Sequence, residues 1–140
     1  MQDSDCVFCK IVQGGIPAFR IWETDDCLAF LDAGPLADGH TLLIPKHHCQ
    51  DLRDVPIAAM GALSAALPGL ASAVMRATNA SGLNLLQNTG PSSGQVVPHL
   101  HFHLIPRIEG DELGYRWNAG RYEKEQAEAI RARIVHELDC

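Results

Sequence analysis

The chain has 140 residues, 11 of them Lys or Arg and 17 Asp or Glu, which gives a formal net charge of -6. This length suits one domain with a sizeable core. An acidic chain binds nucleic acid and anionic membranes poorly, and we see no run approaching the ~18 apolar residues of a membrane span. The five cysteines are an odd number and the N-terminus is acidic, unlike a secreted disulfide framework or a signal peptide. We therefore expect a cytoplasmic protein.

Hydrophobic patterning predicts five strands and three helices. In chain order these are a helix at 6–13, strands at 19–23, 27–31 and 41–44, a helix at 56–79, strands at 83–87 and 99–105, and a charged helix at 123–138. Pro68 should kink or split the long helix. Strands joined by hairpins around one main helix predict a single α+β domain with an antiparallel sheet.

Three histidines stand at alternate positions, His99, His101 and His103, with large apolar residues between them. Side chains two apart on a strand share a face, at a spacing of ~6.7 Å. Three ligands of one zinc ion would have to converge to roughly 3.4 Å, which a straight row does poorly. The imidazoles could instead divide the work of nucleophilic attack on phosphorus. A solvated stripe of histidines is the remaining interpretation.

The segment Asn88-Thr89-Gly90-Pro91-Ser92-Ser93-Gly94-Gln95 predicts a tight loop directly before the histidines. Glycine and proline favour turns, and glycine lets backbone amides approach an anion closely. A phosphate held by this loop would lie beside the imidazoles.

Cys6 and Cys9 have the C-x2-C spacing of half a zinc site. The motif alone is a weak indication, because cysteines often serve as small buried apolar residues. Two further ligands would be needed.

Together these segments resemble the histidine-triad (HIT) superfamily of nucleotide hydrolases and transferases, in its HINT-like and bacterial branch. The similarity covers about residues 5–110 and leaves 111–140 as a C-terminal extension. It is carried by residues 5–12, 15–17, 28–32, 39–46, 94–95, the triad and 105–107. The resemblance implies a HIT-like fold with a five-stranded antiparallel sheet, one main helix and a C-terminal helix, across a single domain of residues 1–140.

The resemblance also implies a chemistry at the α-phosphate of a purine nucleotide. His101 would attack phosphorus and form a covalent nucleotidyl-histidine that water then hydrolyses. His103 would donate to a phosphate oxygen or bridging atom, and His40 would support the triad by hydrogen bonding. The substrate would be a nucleoside phosphoramidate or a dinucleoside polyphosphate.

Nucleotide binding is expected from both halves of the chain. By resemblance, Phe8, Ile11 and Ile16 line the base pocket with Phe30 and Leu31 nearby, and Asp32 accepts hydrogen bonds from the ribose. The phosphate would be held by Asn88, by Gln95 and by loop amides around Gly94. Family members often carry Ser or Thr where Val96 stands, so Val96 puts protonation of the leaving group in doubt.

Some bacterial family members bind a structural zinc, and the corresponding residues here are Cys6, Cys9, His48 and His99. His47 competes with its neighbour as the third ligand. The family commonly forms two-fold homodimers through its sheet and main helix, so a homodimer is expected. Residues 115–118 could then reach the partner's active site.

Two other functions compete with the nucleotidyl hydrolase. One is a non-catalytic nucleotide- or protein-binding module of the same fold. The other is a metal-dependent hydrolase whose metal ion activates water.

Overall fold

The computed structural model describes residues 3–114 and 118–138. The elements are helix α1 (Val7–Val12), strands β1 (Arg20–Glu23), β2 (Cys27–Leu31) and β3 (Thr41–Pro45), helix α2 (Ile57–Thr78), strand β4 (Gly82–Gln87), strand β5 (Phe102–Arg107) and helix α3 (Lys124–Leu138). A short 3-10 helix, Pro91–Ser93, lies in the loop between β4 and β5. The residues at 115–118 that were expected to reach a partner fall largely outside the described part of the chain.

The five strands form one sheet in the order β1-β2-β3-β5-β4. Every neighbouring pair is antiparallel. The predicted α+β architecture, with its five-stranded antiparallel sheet and three helices, is confirmed.

Each face of the sheet buries its own hydrophobic cluster. On one face, Leu63 and Leu70 of α2 pack against residues such as Leu43. On the other, Phe8 of α1 packs against Leu28, Phe30 and their neighbours. Strands β2 and β3 are buried on both faces because helices cover both. The candidate site lies on the α1 face.

The last strand begins later than the sequence predicts. It starts at Phe102, so His99 and His101 precede it and only His103 lies within it. The backbone departs from the sheet here because Leu100 donates its amide to the Cys49 carbonyl, at 2.8 Å, in the segment that follows β3. The predicted strand at 99–105 is therefore wrong for its first three residues.

Helix α2 is continuous from Ile57 to Thr78, so Pro68 does not split it, and the alternative expectation of a kink stays a prediction. Proline removes one backbone hydrogen bond and leaves a carbonyl one turn earlier without its donor. Pro68 lies on the exposed side of the helix, where water can satisfy that carbonyl.

By length and composition, α2 could cross a membrane, so the sequence-based statement that no run approaches such a span is wrong. Alanine, glycine and serine make up more than half of this helix, so it contains no long run of large apolar side chains. The core helices of soluble proteins share this composition. In this fold Leu63, Leu70 and Val74 bury one side of α2.

Candidate active site

A cavity of about 630 Å³ opens between α1, the sheet and the loop before β5. Eleven of the twelve residues predicted to bind the nucleotide line it: Phe8, Ile11, Ile16, Phe30, Leu31, Asp32, Asn88, Gly94, Val96, His101 and His103. Segments far apart in the sequence thus meet around one space.

Sequence reasoning missed other members of this lining: Val7, Pro17, Ala18, Phe19, Ala33, Leu42 and Val97. Phe19 is the most conspicuous, since this aromatic residue is 78% exposed and lies just before the edge strand β1. An aromatic residue beside the Gly-Ile-Pro segment was the available signal, but it reads equally well as an ordinary strand residue.

Gln95 is the predicted nucleotide-binding residue that does not line the cavity. Its side-chain oxygen accepts from the Gly90 amide at 2.8 Å. Its side-chain nitrogen donates to the carbonyls of Gln50 and Val97, at 2.8 and 3.1 Å. Both ends of the side chain therefore brace the loop.

The loop amides are also engaged within the loop. Ser93 and Gln95 donate to the Gly90 carbonyl, at 3.1 and 3.3 Å, and Gly94 donates to that of Pro91 at 3.0 Å. These three amides therefore do not form the expected phosphate cradle, because they already donate hydrogen bonds within the 3-10 turn. Asn88 remains the polar side chain of this loop that lines the cavity.

His101 is held in one tautomer by the backbone. Its Nδ1 lies 2.6 Å from the His99 carbonyl oxygen, which can only accept. Nδ1 therefore carries the proton, and in the neutral ring Nε2 keeps a free lone pair. The Phe8 ring packs edge-on against this imidazole, with centroids 5.2 Å apart. His101 is thus a buried, oriented imidazole at the cavity, and the lone pair on its Nε2 has the chemistry of a base or a nucleophile.

A chain of hydrogen bonds sets the tautomer of His103. The Leu36 amide donates to His40 Nδ1 at 3.0 Å, so in the neutral His40 ring the proton lies on Nε2. That Nε2–H donates to His103 Nδ1 at 2.9 Å. The proton of the neutral His103 ring therefore lies on Nε2, which can donate a hydrogen bond.

Asp32 follows strand β2, and its carboxylate lies close to His40 and His103. Its Oδ1 accepts from the Gly34 amide at 2.8 Å. Its Oδ2 lies 3.5 Å from His40 Nε2 and 4.0 Å from His103 Nδ1. The carboxylate has the local partners that a charge after a buried strand requires.

Burial keeps the imidazoles of His40, His101 and His103 neutral near pH 7. It lowers the pKa of His101 and of His40 below the ordinary value. Burial first, and then the neighbouring rings of His101 and His40, lower the pKa of His103 to about 4. A neutral His101 retains the lone pair that nucleophilic attack needs.

Cys6, Cys9, His48 and His99 converge on one point beside the cavity, with all four ligand atoms within 4.8 Å of one another. His99 Nδ1 lies 3.3 Å from Cys6 Sγ, 3.6 Å from Cys9 Sγ and 3.3 Å from His48 Nδ1. Cys9 Sγ lies 3.4 Å from His48 Nδ1. His47 is exposed and outside this group.

These distances fit a tetrahedral zinc ion. Zn–S bonds of about 2.3 Å and Zn–N bonds of about 2.0–2.1 Å place nitrogens roughly 3.4 Å apart and nitrogen and sulfur roughly 3.6 Å apart. His99 Nε2 donates to the Pro45 carbonyl at 2.8 Å, which leaves Nδ1 free to bind a metal. The donor set is that of a closed structural site.

A second cluster joins Asp32, His40 and His103, but its chemistry fits a metal poorly. The Leu36 amide occupies His40 Nδ1, so the nitrogen that faces the cluster carries a proton. Metal ligation requires a lone pair there.

The sequence matches the HIT domain family model over residues 13–110. Adenylylsulfatase HINT3 of Arabidopsis thaliana is 44% identical over 110 residues, which are 79% of this chain and 56% of that protein. Adenosine 5'-monophosphoramidase HNT1 of Saccharomyces cerevisiae is 38% identical over 138 residues, which are 98% of this chain and 85% of that protein. The chain thus spans little more than half of the first relative and most of the second.

Solved structures of similar chains have the same fold. The SMU.412c protein of Streptococcus mutans superposes with a TM-score of 0.94 at 37% identity, covering 98% of this chain and 87% of that one. A zinc-bound histidine triad family protein of Mycobacterium smegmatis superposes with a TM-score of 0.75 at 39% identity, covering 96% of each chain. Sequence and fold agree that this chain belongs to the histidine-triad (HIT) family.

Proposed function

We propose that the protein is a nucleotidyl hydrolase or transferase that cleaves at the α-phosphate of a purine nucleoside phosphoramidate or dinucleoside polyphosphate. The observation that carries the proposal is the free lone pair on His101 Nε2, which follows from the hydrogen bond between Nδ1 and the His99 carbonyl. This ring lines a cavity with an apolar wall suited to a base.

In the proposed reaction, His101 Nε2 attacks the α-phosphorus and the bond to the leaving group breaks. His103 donates its Nε2–H to a phosphate oxygen, where negative charge builds up. Water then attacks the nucleotidyl-histidine and releases the nucleoside monophosphate. Positioning supplies much of the rate, because nucleophile and donor lie in one buried cavity before the substrate binds.

The cavity offers a distinct place for each part of the nucleotide. Phe8, Ile11 and Phe30 are buried apolar side chains on the α1 side and would hold the base. Asp32 would accept from the ribose hydroxyls, and Asn88 would contact the phosphate. The relatives named adenylylsulfatase and adenosine 5'-monophosphoramidase support an AMP derivative as substrate.

We further propose that Cys6, Cys9, His48 and His99 hold a structural zinc ion. The ion would tie the segment before α1 to the residues after β3 and to the start of the triad. Phe8 lies between the two cysteines and contacts the rings of His99 and His101, so this tie would also brace the base pocket.

A panel of adenosine and guanosine phosphoramidates, adenylylated lysine and diadenosine polyphosphates tests the proposal. We expect release of the nucleoside monophosphate and an acid-labile nucleotidyl adduct on His101 after rapid quenching. Tight nucleotide binding without turnover of any compound would support the non-catalytic binding module instead. Turnover without an adduct, abolished by EDTA, would support the metal-dependent hydrolase.

A further inference from the structure

Two sulfur atoms lie close together at the start of helix α1. Cys6 caps this helix, and its Sγ accepts from the Cys9 amide at 3.4 Å. The two Sγ atoms lie within 4.8 Å of each other. Residues three apart on an α-helix have Cα atoms about 5 Å apart, which is inside the range of about 4.4–6.8 Å that a disulfide bond spans. The two thiols can therefore join through rotation of their side chains.

The N-terminal segment covers part of this sulfur pair. The Asp3 amide donates to Cys9 Sγ at 3.3 Å, and Asp3 Oδ2 lies 4.0 Å from His48 Nε2. Residues 3–5 are exposed, and the His48 side chain is 22% exposed. Exposed terminal segments open at little cost in free energy. A small oxidant can therefore reach the sulfurs without unfolding of the domain.

The sulfurs can serve the proposed zinc site only as thiolates. A thiolate is the form of cysteine that binds a metal, whereas a disulfide sulfur is neutral and a poor ligand. A bond between Cys6 and Cys9 would leave His48 and His99 as the remaining members of the cluster. Two imidazoles fall short of the four ligands of a structural zinc site. The pair therefore exists either as two zinc ligands or as a disulfide.

His99 connects the sulfurs to the nucleotide cavity. Its Nδ1 lies 3.3 Å from Cys6 Sγ, and its carbonyl oxygen accepts from His101 Nδ1 at 2.6 Å. Phe8 packs edge-on against both rings, with centroid distances of 5.8 and 5.2 Å. Helix α1 has only six residues, too few to be stable without tertiary contacts. The state of the sulfurs therefore affects how firmly Phe8 is held in the cavity wall.

Resting on the proposed zinc site and the proposed function, we propose that Cys6 and Cys9 are a site of reversible oxidation by a hydroperoxide. Their disulfide releases the zinc ion and loosens the start of α1, so nucleotide binding weakens. The chemistry at His101 is unaffected, because its Nδ1 partner is a backbone carbonyl that the oxidation leaves in place.

The oxidation balances in two steps. Cys6 reacts first, since it is 6% exposed and Cys9 is 0% exposed. Its thiolate attacks a peroxide oxygen, so that an S–O bond forms, the O–O bond breaks and the departing oxygen takes a proton from solvent. The Cys9 thiolate then attacks the Cys6 sulfur, an S–S bond forms, and hydroxide leaves as water with a second proton. The sulfurs lose two electrons in total, and the peroxide gains them.

Treatment of the zinc-loaded protein with hydrogen peroxide tests the inference. Trypsin cleaves after Lys10, and peptide 1–10 contains Cys6 and Cys9 but no other cysteine. We expect this peptide to lose two hydrogen atoms in mass spectrometry, while a coloured chelator detects an equal amount of released zinc. The Kd of AMP should rise about tenfold if the ordered pocket falls to about a tenth of the molecules, with little change in kcat. A dithiol reductant with added zinc should restore both the zinc content and the Kd.

Cys27→Ala and Cys49→Ala are the matched controls. Both thiols lie in the hydrophobic cluster on the α2 face, and neither belongs to the groups of metal-ligating side chains among the described residues. Each variant should form the disulfide and release zinc at the same peroxide concentration as the wild type. Loss of the response in either variant would assign the oxidation to another thiol and overturn the inference.

The remaining outcomes separate this inference from the proposals on which it rests. Two free thiols in peptide 1–10, at a peroxide concentration that oxidises glutathione, would overturn the inference alone. A disulfide that leaves the Kd of AMP unchanged would do the same. A protein that takes up no zinc would overturn the zinc site and the inference together. Reduced, zinc-loaded protein that binds AMP but cleaves no substrate would overturn the proposed hydrolase and leave the oxidation site standing.

Discussion

His40 Nε2 lies 2.9 Å from His103 Nδ1, while the other ring nitrogen of His40 accepts from the Leu36 amide at 3.0 Å. A backbone N–H therefore dictates, through two rings, which nitrogen of His103 carries a proton. His40 does not line the cavity. We regard it as a positioning residue that acts through His103.

Replacement of His40 by Phe should lower kcat with little change in KM. The ring shape is kept, but His103 Nδ1 loses its donor and the ring can adopt the wrong tautomer. The loss should be smaller than the roughly 10²–10³-fold expected for removal of a donor that contacts the phosphate. His40→Gln, whose amide can still donate, should recover part of the rate. Steady-state kinetics of the three proteins will measure this, and an unchanged kcat in His40→Phe would contradict it.

His101→Ala should nearly abolish turnover and leave nucleoside monophosphate binding largely intact. Loss of a covalent nucleophile costs several orders of magnitude in rate, whereas His103→Ala should cost about 10²–10³-fold because it removes one donor. Single-turnover kinetics and calorimetric titration with AMP separate the two effects. Substantial activity in His101→Ala would rule out the covalent mechanism.

The purified protein should contain about one zinc ion per chain, measured by elemental analysis. Cys6→Ser should lower the melting temperature clearly while changing kcat little, because metal binding at a structural site contributes folding free energy. His47→Ala is the matched control, since this neighbour lies outside the ligand cluster, and it should keep the zinc. A metal-free preparation with an unchanged melting temperature would contradict the structural role.

The buried carboxylate of Asp51 should make stability depend on acid pH. Its hydrogen bonds to the Arg53 guanidinium lower its pKa from the ordinary 3.8 to about 2. A lowered folded-state pKa stabilises the fold fully above the unfolded-state value and loses that effect as the pH falls through the folded-state value. The melting-temperature gap between wild type and Asp51→Asn should therefore narrow from about pH 5 to about pH 2. A gap that stays constant over this range would contradict the assignment.

In solution the protein should be a homodimer. Apolar side chains remain exposed on the edge strand β4, where Leu85 and Leu86 are 49% and 42% exposed, and at the start of α2, where Ile57 is 92% exposed. Light scattering should give twice the 15.2 kDa of one chain. Leu85→Glu should shift the mass toward one chain if β4 lies in the interface. A monomeric wild type at micromolar concentration would contradict the dimer.

Much of the architecture was readable from local patterns. The alternation of histidines with large apolar residues correctly predicted that the apolar residues face the core. Leu100 and Leu104 are fully buried in the hydrophobic cluster that packs against α2. The long helix was found with nearly correct bounds, because its apolar residues recur at the helical period. The helix is not split at Pro68, because water can reach the carbonyl that the proline leaves without its donor.

The residue types of the site can be read directly from the sequence: three alternating histidines, a pair of cysteines and a small polar loop. The contacts that each of them makes depend on the folded chain. His48 rather than His47 faces Cys9, and Gln95 braces the loop instead of lining the cavity. The tautomers of His101 and His103 follow from backbone groups of His99 and Leu36. An imidazole presents a lone pair or a proton according to its nearest partner, and the folded chain alone determines that partner.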